Sequence, residues 1–315
     1  MIDFPKFSLG TWSMGGGDSW GECDDRESIS TVHAALDLGV KWIDTAPAYG
    51  NGRSEELLGK ALKGRRQDII LASKCGLVWD ETGSMEHIRR DGLVVYRNLT
   101  PPSIRRQLEA TLTRLDTDYL DLYITHHQNP NDSLEDTIEC LEELKKEGKI
   151  RAYGLSNGNI EIINKYIKLG NPECVQEKWS ALDRKKQDEL TLTIQKNIMF
   201  QAYSPLERGL LSGTVSASAE VIGTAKKRDI WYKPENIALI NSRLIGLYEM
   251  AASYGVPLSA LILAWQMAYS ENMCVCVGAR KIFQIEENAK AIGLKLSEAD
   301  KEKIGKVLLS INAVE

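Results

Sequence analysis

The sequence predicts an α/β fold: a single-domain (β/α)₈ barrel of the TIM type, with extra helices and long loops on its catalytic face. Three observations predict it. Short apolar runs alternate with helical periodicity from end to end. These runs number eight, each followed by an amphipathic stretch, which is the pattern of a parallel sheet closed on itself. No linker, repeat or low-complexity tract divides the 315 residues, so one domain, 1–315, is expected, and the length suits one large barrel.

The strand candidates, in order, are Phe7–Trp12, Lys41–Thr45, Ile69–Lys74, Leu120–His126, Arg151–Ser156, Cys174–Glu177, Met199–Ser204 and Met273–Val277. Gly39 stands where a left-handed cap would end the first helix. Ile104, Leu108, Leu112 and Leu115 share one helical face, and Thr100-Pro101 places proline in that helix's first turn. Leu134, Ile138, Leu141 and Leu144 share another, opened by Ser133-x-x-Asp136, which resembles a capping box. Ser297–Leu309 reads as a helix beyond the eighth unit, with Leu296, Ile304 and Leu308 spaced to pack on the barrel. Two connections are long: Cys75 to Leu99, with Trp79, Arg89, Arg90 and Arg97, and Pro205 to Pro234, rich in Gly, Ser and Lys. Both follow strand C-termini, the face on which such barrels carry their sites, and loops this long commonly bind something.

Composition narrows the function. Hydrophobic content of 43% and charged content of 26% describe an ordinary globular chain. The net charge of −5 argues against a nucleic-acid partner, which a basic excess would accompany. Met1 to Lys6 lacks the basic-then-apolar order of a signal peptide, and the best apolar run, Val256 to Tyr269, is broken by Pro257, Ser259 and Gln266. The chain therefore reads as cytoplasmic, with no membrane partner. The six cysteines are sparse and read as free thiols; Cys274-x-Cys276 lacks a second ligand pair nearby, so no metal site is expected.

No GxGxxG, Walker loop, GxSxG elbow or HExxH occurs, so any nucleotide is held by another device. Polar residues do collect at strand ends: Asp44, Lys74 and His126, with Tyr49 just beyond the second strand. Neighbouring strand ends converge at a barrel's mouth, so these four can meet. A lysine ending an apolar strand is costly unless paired, and Asp44 is the available partner. One reading is a structural ion pair at the rim. The other is an acid–base site, in which a lysine beside tyrosine lowers the phenol pKa from about 10 and His126 polarises a carbonyl. Adjacent strand residues face opposite ways, so only one of His126 and His127 is expected to point into the mouth.

Asp44-Thr45-Ala46-x-x-Tyr49-Gly50-x-Gly52-x-Ser54-Glu55, then Lys74, then Asp121-Leu122-Tyr123-x-x-His126, resembles the aldo-keto reductase superfamily. So do Gly148-Lys149-Ile150-Arg151-x-x-Gly154-x-Ser156-Asn157, the segment Tyr203 to Gly213, and Gly278-Ala279-Arg280 with Glu287-Asn288; together they run from about Leu9 to Asn288. The resemblance implies a (β/α)₈ barrel, an extended NADPH and a catalytic tetrad of Asp44, Tyr49, Lys74 and His126. It implies that Ser156, Asn157 and Gln176 hold the nicotinamide carboxamide and that Tyr203 stacks on the ring. Ser204, Pro205, Leu206, Gly209, Leu211 and Gly213 would wrap the pyrophosphate, with Gly278, Arg280, Gln284, Glu287 and Asn288 at the adenosine end. Trp12, Trp79, Arg89, Arg90, Arg97 and His127 are candidates for substrate contact, which would favour a small polar carbonyl such as a sugar. Trp179-Ser180 departs from the Tyr-Asn that many relatives carry after the sixth strand.

The expected function is NADPH-dependent reduction of an aldehyde or ketone, with the proton from Tyr49. Two alternatives stand beside it. One is an NADPH-binding regulatory subunit with little turnover; the other is a metal-dependent barrel hydrolase using Asp44, His126 and His127.

Overall fold

A computed structural model describes residues 2–314. Eight parallel strands close into a barrel: Phe7–Gly10, Trp42–Asp44, Ile70–Cys75, Leu120–Thr125, Ile150–Ser156, Cys174–Lys178, Met199–Tyr203 and Met273–Gly278. The first strand pairs with both the second and the last, so Gly10 lies beside Asp44 on one side and Gly278 on the other. These are the eight expected runs, with ends shifted by a residue or two. The strands read as continuous apolar runs because helices cover the outer face and side chains fill the interior.

The interior is small. Trp42, Ala72, Leu122, Ile124, Ala152, Cys174, Met199 and Cys274 pack together, with Ile2 and Phe4 against them. Phe4 meets Trp42 at 4.8 Å between ring centroids, which places the chain's start at the strands' N-terminal end, away from the mouth. The larger apolar cluster lies between barrel and helices. Ile104, Leu108, Leu112 and Leu115 of helix Pro101–Leu115 and Ile138, Leu141 and Leu144 of helix Leu134–Lys146 are all buried in it. Ser133 caps the latter by accepting from the Asp136 N–H at 3.1 Å, Gly39 has φ +82°, and helix Glu298–Leu309 lies beyond the eighth unit. No single helix among the described residues is long and apolar enough to cross a membrane.

The connection from Cys75 to Leu99 is not irregular loop. Leu77–Val78, Met85–Arg90 and Leu93–Arg97 form a three-stranded antiparallel sheet, with Leu93–Arg97 in the middle. Asp91-Gly92 makes its tip with φ of +49° and +73°, the left-handed pair a two-residue hairpin turn requires. Asp91 and Asp18 exchange backbone-to-carboxylate bonds of 2.8 and 2.7 Å, which pin the tip to the segment after the first barrel strand.

Candidate active site

Asp44 ends the second strand, and Lys74 lies in the third, two residues past the Ala72 that pairs with Asp44. Residues two apart on a strand share a face, so the register alone points both side chains into the same layer of the barrel. Lys74 is fully buried, and its Nζ donates to Asp44 Oδ1 at 2.6 Å, to the Thr45 carbonyl at 2.8 Å and to the Tyr49 hydroxyl at 3.1 Å. The second Asp44 oxygen accepts from Gln176 Nε2 at 2.8 Å. Asp44 and its neighbours outweigh desolvation and raise the lysine pKa, so Lys74 stays charged.

Tyr49 departs from expectation. Burial pushes its pKa up to about 12; Lys74 pulls it down, but Asp44 pushes it up again. The expected lowering by lysine is therefore offset by burial and by the carboxylate that holds the lysine. Tyr49 remains protonated, and its own O–H donates to no described residue.

His126 meets Tyr49 edge-on at 5.8 Å between centroids. Burial first, then Lys74, His127, His87 and Arg90, drives its pKa well down, so the ring is neutral. His127 also faces the cleft, contrary to the strand alternation: the strand ends at Thr125, and the two rings stack at 5.2 Å. His87 from the hairpin completes the cluster, 4.3 Å from His127. Burial and neighbouring positive groups lower His127 to about 3 and His87 to about 4. Among the described residues no three His, Cys, Asp or Glu side chains are disposed to hold a metal ion.

These residues open into a cleft of about 750 Å³ at the strands' C-terminal ends. Ser156, Asn157, Gln176, Tyr203, Ser204, Pro205, Leu206, Gly209, Gly278, Arg280, Gln284, Glu287 and Asn288 line it, as expected. Asn157 is fixed at both ends of its amide, donating to the His126 carbonyl at 2.8 Å and accepting from the Tyr203 hydroxyl at 2.8 Å. Gln284 caps its helix, accepting from the Arg280 N–H at 2.8 Å. The Arg280 guanidinium is already engaged, donating to the main-chain carbonyls of Trp20 (3.1 Å) and Glu22.

Other expected residues lie outside the cleft. Leu211 and Gly213 do not line the cleft. Leu211 is fully buried in the main apolar cluster, and the Gly213 carbonyl accepts from Tyr248 at 3.1 Å. Of the substrate candidates, Trp12, Arg89, Arg90 and His127 line the cleft and Trp79 and Arg97 do not. Trp79 packs behind it with Ala48, Leu77 and Val95, and Arg97 donates to the Gln128 carbonyl at 2.8 Å. Trp179 is buried outside the cleft against Tyr269, and Ser180 bonds Glu207 at 2.5 Å. The sequence reading missed His87, Arg208, Ser212, Thr214, Lys226 and Arg228, all of which line the cleft. For most of these the signal was the length and Gly/Ser/Lys content of Pro205 to Pro234.

That segment is held under strain. Ser204, Glu207 and Arg208 have φ of +57°, +46° and +54°, which non-glycine residues seldom adopt. Glu207 anchors it: fully buried, it accepts from Ser180 and pairs with Lys178 at 3.2 Å, while Tyr232 donates to the Arg208 carbonyl at 2.8 Å. Ser13 Oγ, His126 Nδ1, Arg208 Nε and Ser259 Oγ, all on cleft-lining residues, are buried without partners. Unpaired polar groups in a cleft that also carries Arg208, Lys226, Arg228 and Arg280 fit a polar, phosphate-bearing ligand such as a dinucleotide.

Comparison with known proteins agrees with this geometry. A model of the aldo/keto reductase family matches residues 6–308. The chain is 38% identical over 305 residues to the NADH-specific methylglyoxal reductase of Escherichia coli strain K12, covering 95% of this chain and 93% of that protein. A glycerol dehydrogenase from Gluconobacter oxydans superposes with a TM-score of 0.87 at 28% identity, covering 100% of this chain and 95% of that one. An aldo/keto reductase from Klebsiella pneumoniae, solved with NADP and acetate, superposes with a TM-score of 0.73 at 25% identity, covering 97% and 92%. The chain thus belongs to the aldo/keto reductase family and is an oxidoreductase that reduces carbonyl compounds with NAD(P)H.

Proposed function

We propose that the chain is an NADPH-dependent reductase of a small polar aldehyde or ketone, with Tyr49 as proton donor. The observation that carries this is the bond from Lys74 Nζ to the Tyr49 oxygen, 3.1 Å, with the Tyr49 O–H left free in the cleft. When bound, the dinucleotide supplies the hydride. Tyr49 gives its proton to the developing alkoxide, Lys74 steadies the phenolate that remains, and Asp44 keeps Lys74 charged and aimed. His126, held neutral, offers an N–H to the carbonyl oxygen. Ser156, Asn157 and Gln176 seat the carboxamide and Tyr203 the nicotinamide face. Ser204 to Leu206, Arg208, Gly209 and Ser212 take the phosphates, and Gly278, Arg280, Gln284, Glu287 and Asn288 the adenosine.

The preference for NADPH rests on Arg280, Lys226 and Arg228 gathering along one cleft. Burial first, then the charges of Arg280 and Arg208, lower the Lys226 pKa. NADH is the second reading, favoured by the Arg280 bonds to the Trp20 and Glu22 carbonyls and by the NADH-specific relative.

The test is loss of reduced-nicotinamide absorbance across aldehydes, ketones and sugars with each cofactor, with and without EDTA. We expect turnover indifferent to EDTA and a higher kcat/KM with NADPH. Arg280→Ala should weaken NADPH binding by about 1.5–3 kcal/mol and leave NADH nearly unchanged. Equal losses for both cofactors would remove Arg280 from reading the 2′-phosphate. Nucleotide binding without turnover on any carbonyl would instead fit a regulatory subunit.

A further inference from the structure

The hairpin carries three arginines, and the structure gives them different surroundings. Arg89 is exposed and grips Glu86 with two bonds of 2.9 Å. Arg97 is turned away, donating to the Gln128 carbonyl and to His87 Nδ1 at 3.2 Å. Arg90 is half-buried and lines the cleft beside Tyr49, His87 and His126. One Nη2 hydrogen goes to the Ala48 carbonyl, the residue before Tyr49, and its Nε is buried with no acceptor. No carboxylate of the described residues pairs with the half-buried Arg90.

Its position is fixed from two sides. Arg90 pairs with Leu93 across the hairpin, and the following Asp91 is tied to Asp18. The same end of the cleft is walled by rings. Trp12 lies 6.3 Å from Tyr49 and 5.3 Å from Trp20, and His126, 5.8 Å from Tyr49, continues the rings through His127 to His87. Those imidazoles are neutral, the Lys74 donors are filled, Arg89 is held by Glu86 and Arg208 by Asp229, which leaves Arg90 as the cleft-lining cation near Tyr49 without a carboxylate partner. It is a fork donor without a carboxylate partner, in the same aromatic-lined cleft as the acid–base pair.

We propose that Arg90 determines substrate choice by donating to an oxygen on the carbon next to the reacting carbonyl. The substrate class is then small 2-oxo and 2-hydroxy carbonyl compounds rather than simple aldehydes or apolar ketones. A carbonyl oxygen placed between Tyr49 and His126 leaves the oxygen of the neighbouring carbon in the cleft that the guanidinium also lines. The fork can meet that oxygen while keeping its bond to Ala48. This inference rests on the carbonyl-reduction reading above.

Methylglyoxal and propanal test it, since they share a three-carbon chain and differ by the vicinal oxygen. kcat/KM for both is measured on the wild-type chain, Arg90→Ala and Arg90→Lys. Comparing variants cancels the hydration of methylglyoxal in water. We expect the wild-type chain to favour methylglyoxal, Arg90→Ala to lose about 10-fold or more on it with little change on propanal, and Arg90→Lys to recover part. Propanal turnover by Arg90→Ala also shows that the variant folds. Equal losses on both substrates would make Arg90 a support for the Tyr49 turn through Ala48 and overturn the assignment, as would no loss on either. If the wild-type chain reduces no carbonyl at all, the reduction reading itself falls; if it reduces both without dependence on Arg90, only this inference does.

Discussion

Lys74 carries three N–H bonds, and each has an acceptor: Asp44, Thr45 and Tyr49. That saturation gives the proton its direction. Tyr49 accepts from lysine, so its own hydrogen can only go outward. With Tyr49 at about 12, Lys74 raised and all three mouth histidines depressed below the ordinary value near 6.5, none of these groups titrates between about pH 6.5 and 8. We therefore predict a pH profile of kcat/KM for reduction without a limb from these residues across that range. A limb near pH 6.5 removed by His126→Gln would contradict it. Asp44, Lys74 and His126 were legible because each breaks an apolar run at a strand's end, where only function or pairing compensates for it. The tyrosine pKa was not legible: it depends on burial and on the opposing charge of Asp44, and neither is written in the spacing. The facing of His127 was misjudged because the strand stops two residues earlier than the alternation rule assumed.

At the level of elements, the turn that carries Tyr49 is braced by a short helical turn, Trp12–Gly15. A Cβ on Gly15 would lie 2.7 Å from both Gly50 N and Tyr49 C, so the two backbones touch where a side chain cannot fit. Gly15→Ala should therefore cost about 1–3 kcal/mol by chemical denaturation and lower kcat by displacing Tyr49. Unchanged kcat would mean that this contact does not set the tyrosine's position. The hairpin was available to the sequence reading and was passed over. Asp91-Gly92 is a strong two-residue turn signal, but the flanking strands carry charges on both faces and lack the alternation that marks a half-buried sheet. The helices were easier, since Ser133 and Pro101 mark their starts and their apolar faces repeat at the helical period.

Over the whole molecule, the barrel's closure brings Gly10 beside Asp44 and Gly278, so residues far apart in sequence share one mouth. That convergence was readable from eight runs; the route of Pro205 to Pro234 was not, since left-handed residues at 204, 207 and 208 follow from tertiary anchors on Glu207. The three half-buried histidines of the mouth also make a global prediction. Their folded pKa values lie below the ordinary value near 6.5, so the unfolded chain binds more protons as the solution acidifies. Stability should be fully present above about pH 6.5 and fall as the pH drops from there, toward about 4 for His87 and about 3 for His127. His87→Gln should flatten part of that decline in Tm; an equally steep decline would exclude His87 as a contributor.

The central claim is that Tyr49 delivers the proton from a cleft that binds the dinucleotide independently of it. The most direct measurement compares Tyr49→Phe with the wild-type chain, taking kcat on a good carbonyl substrate alongside nucleotide affinity by fluorescence titration. Loss of about 10²-fold or more in kcat with nearly unchanged affinity is the predicted result. A variant that retains wild-type kcat would contradict the account.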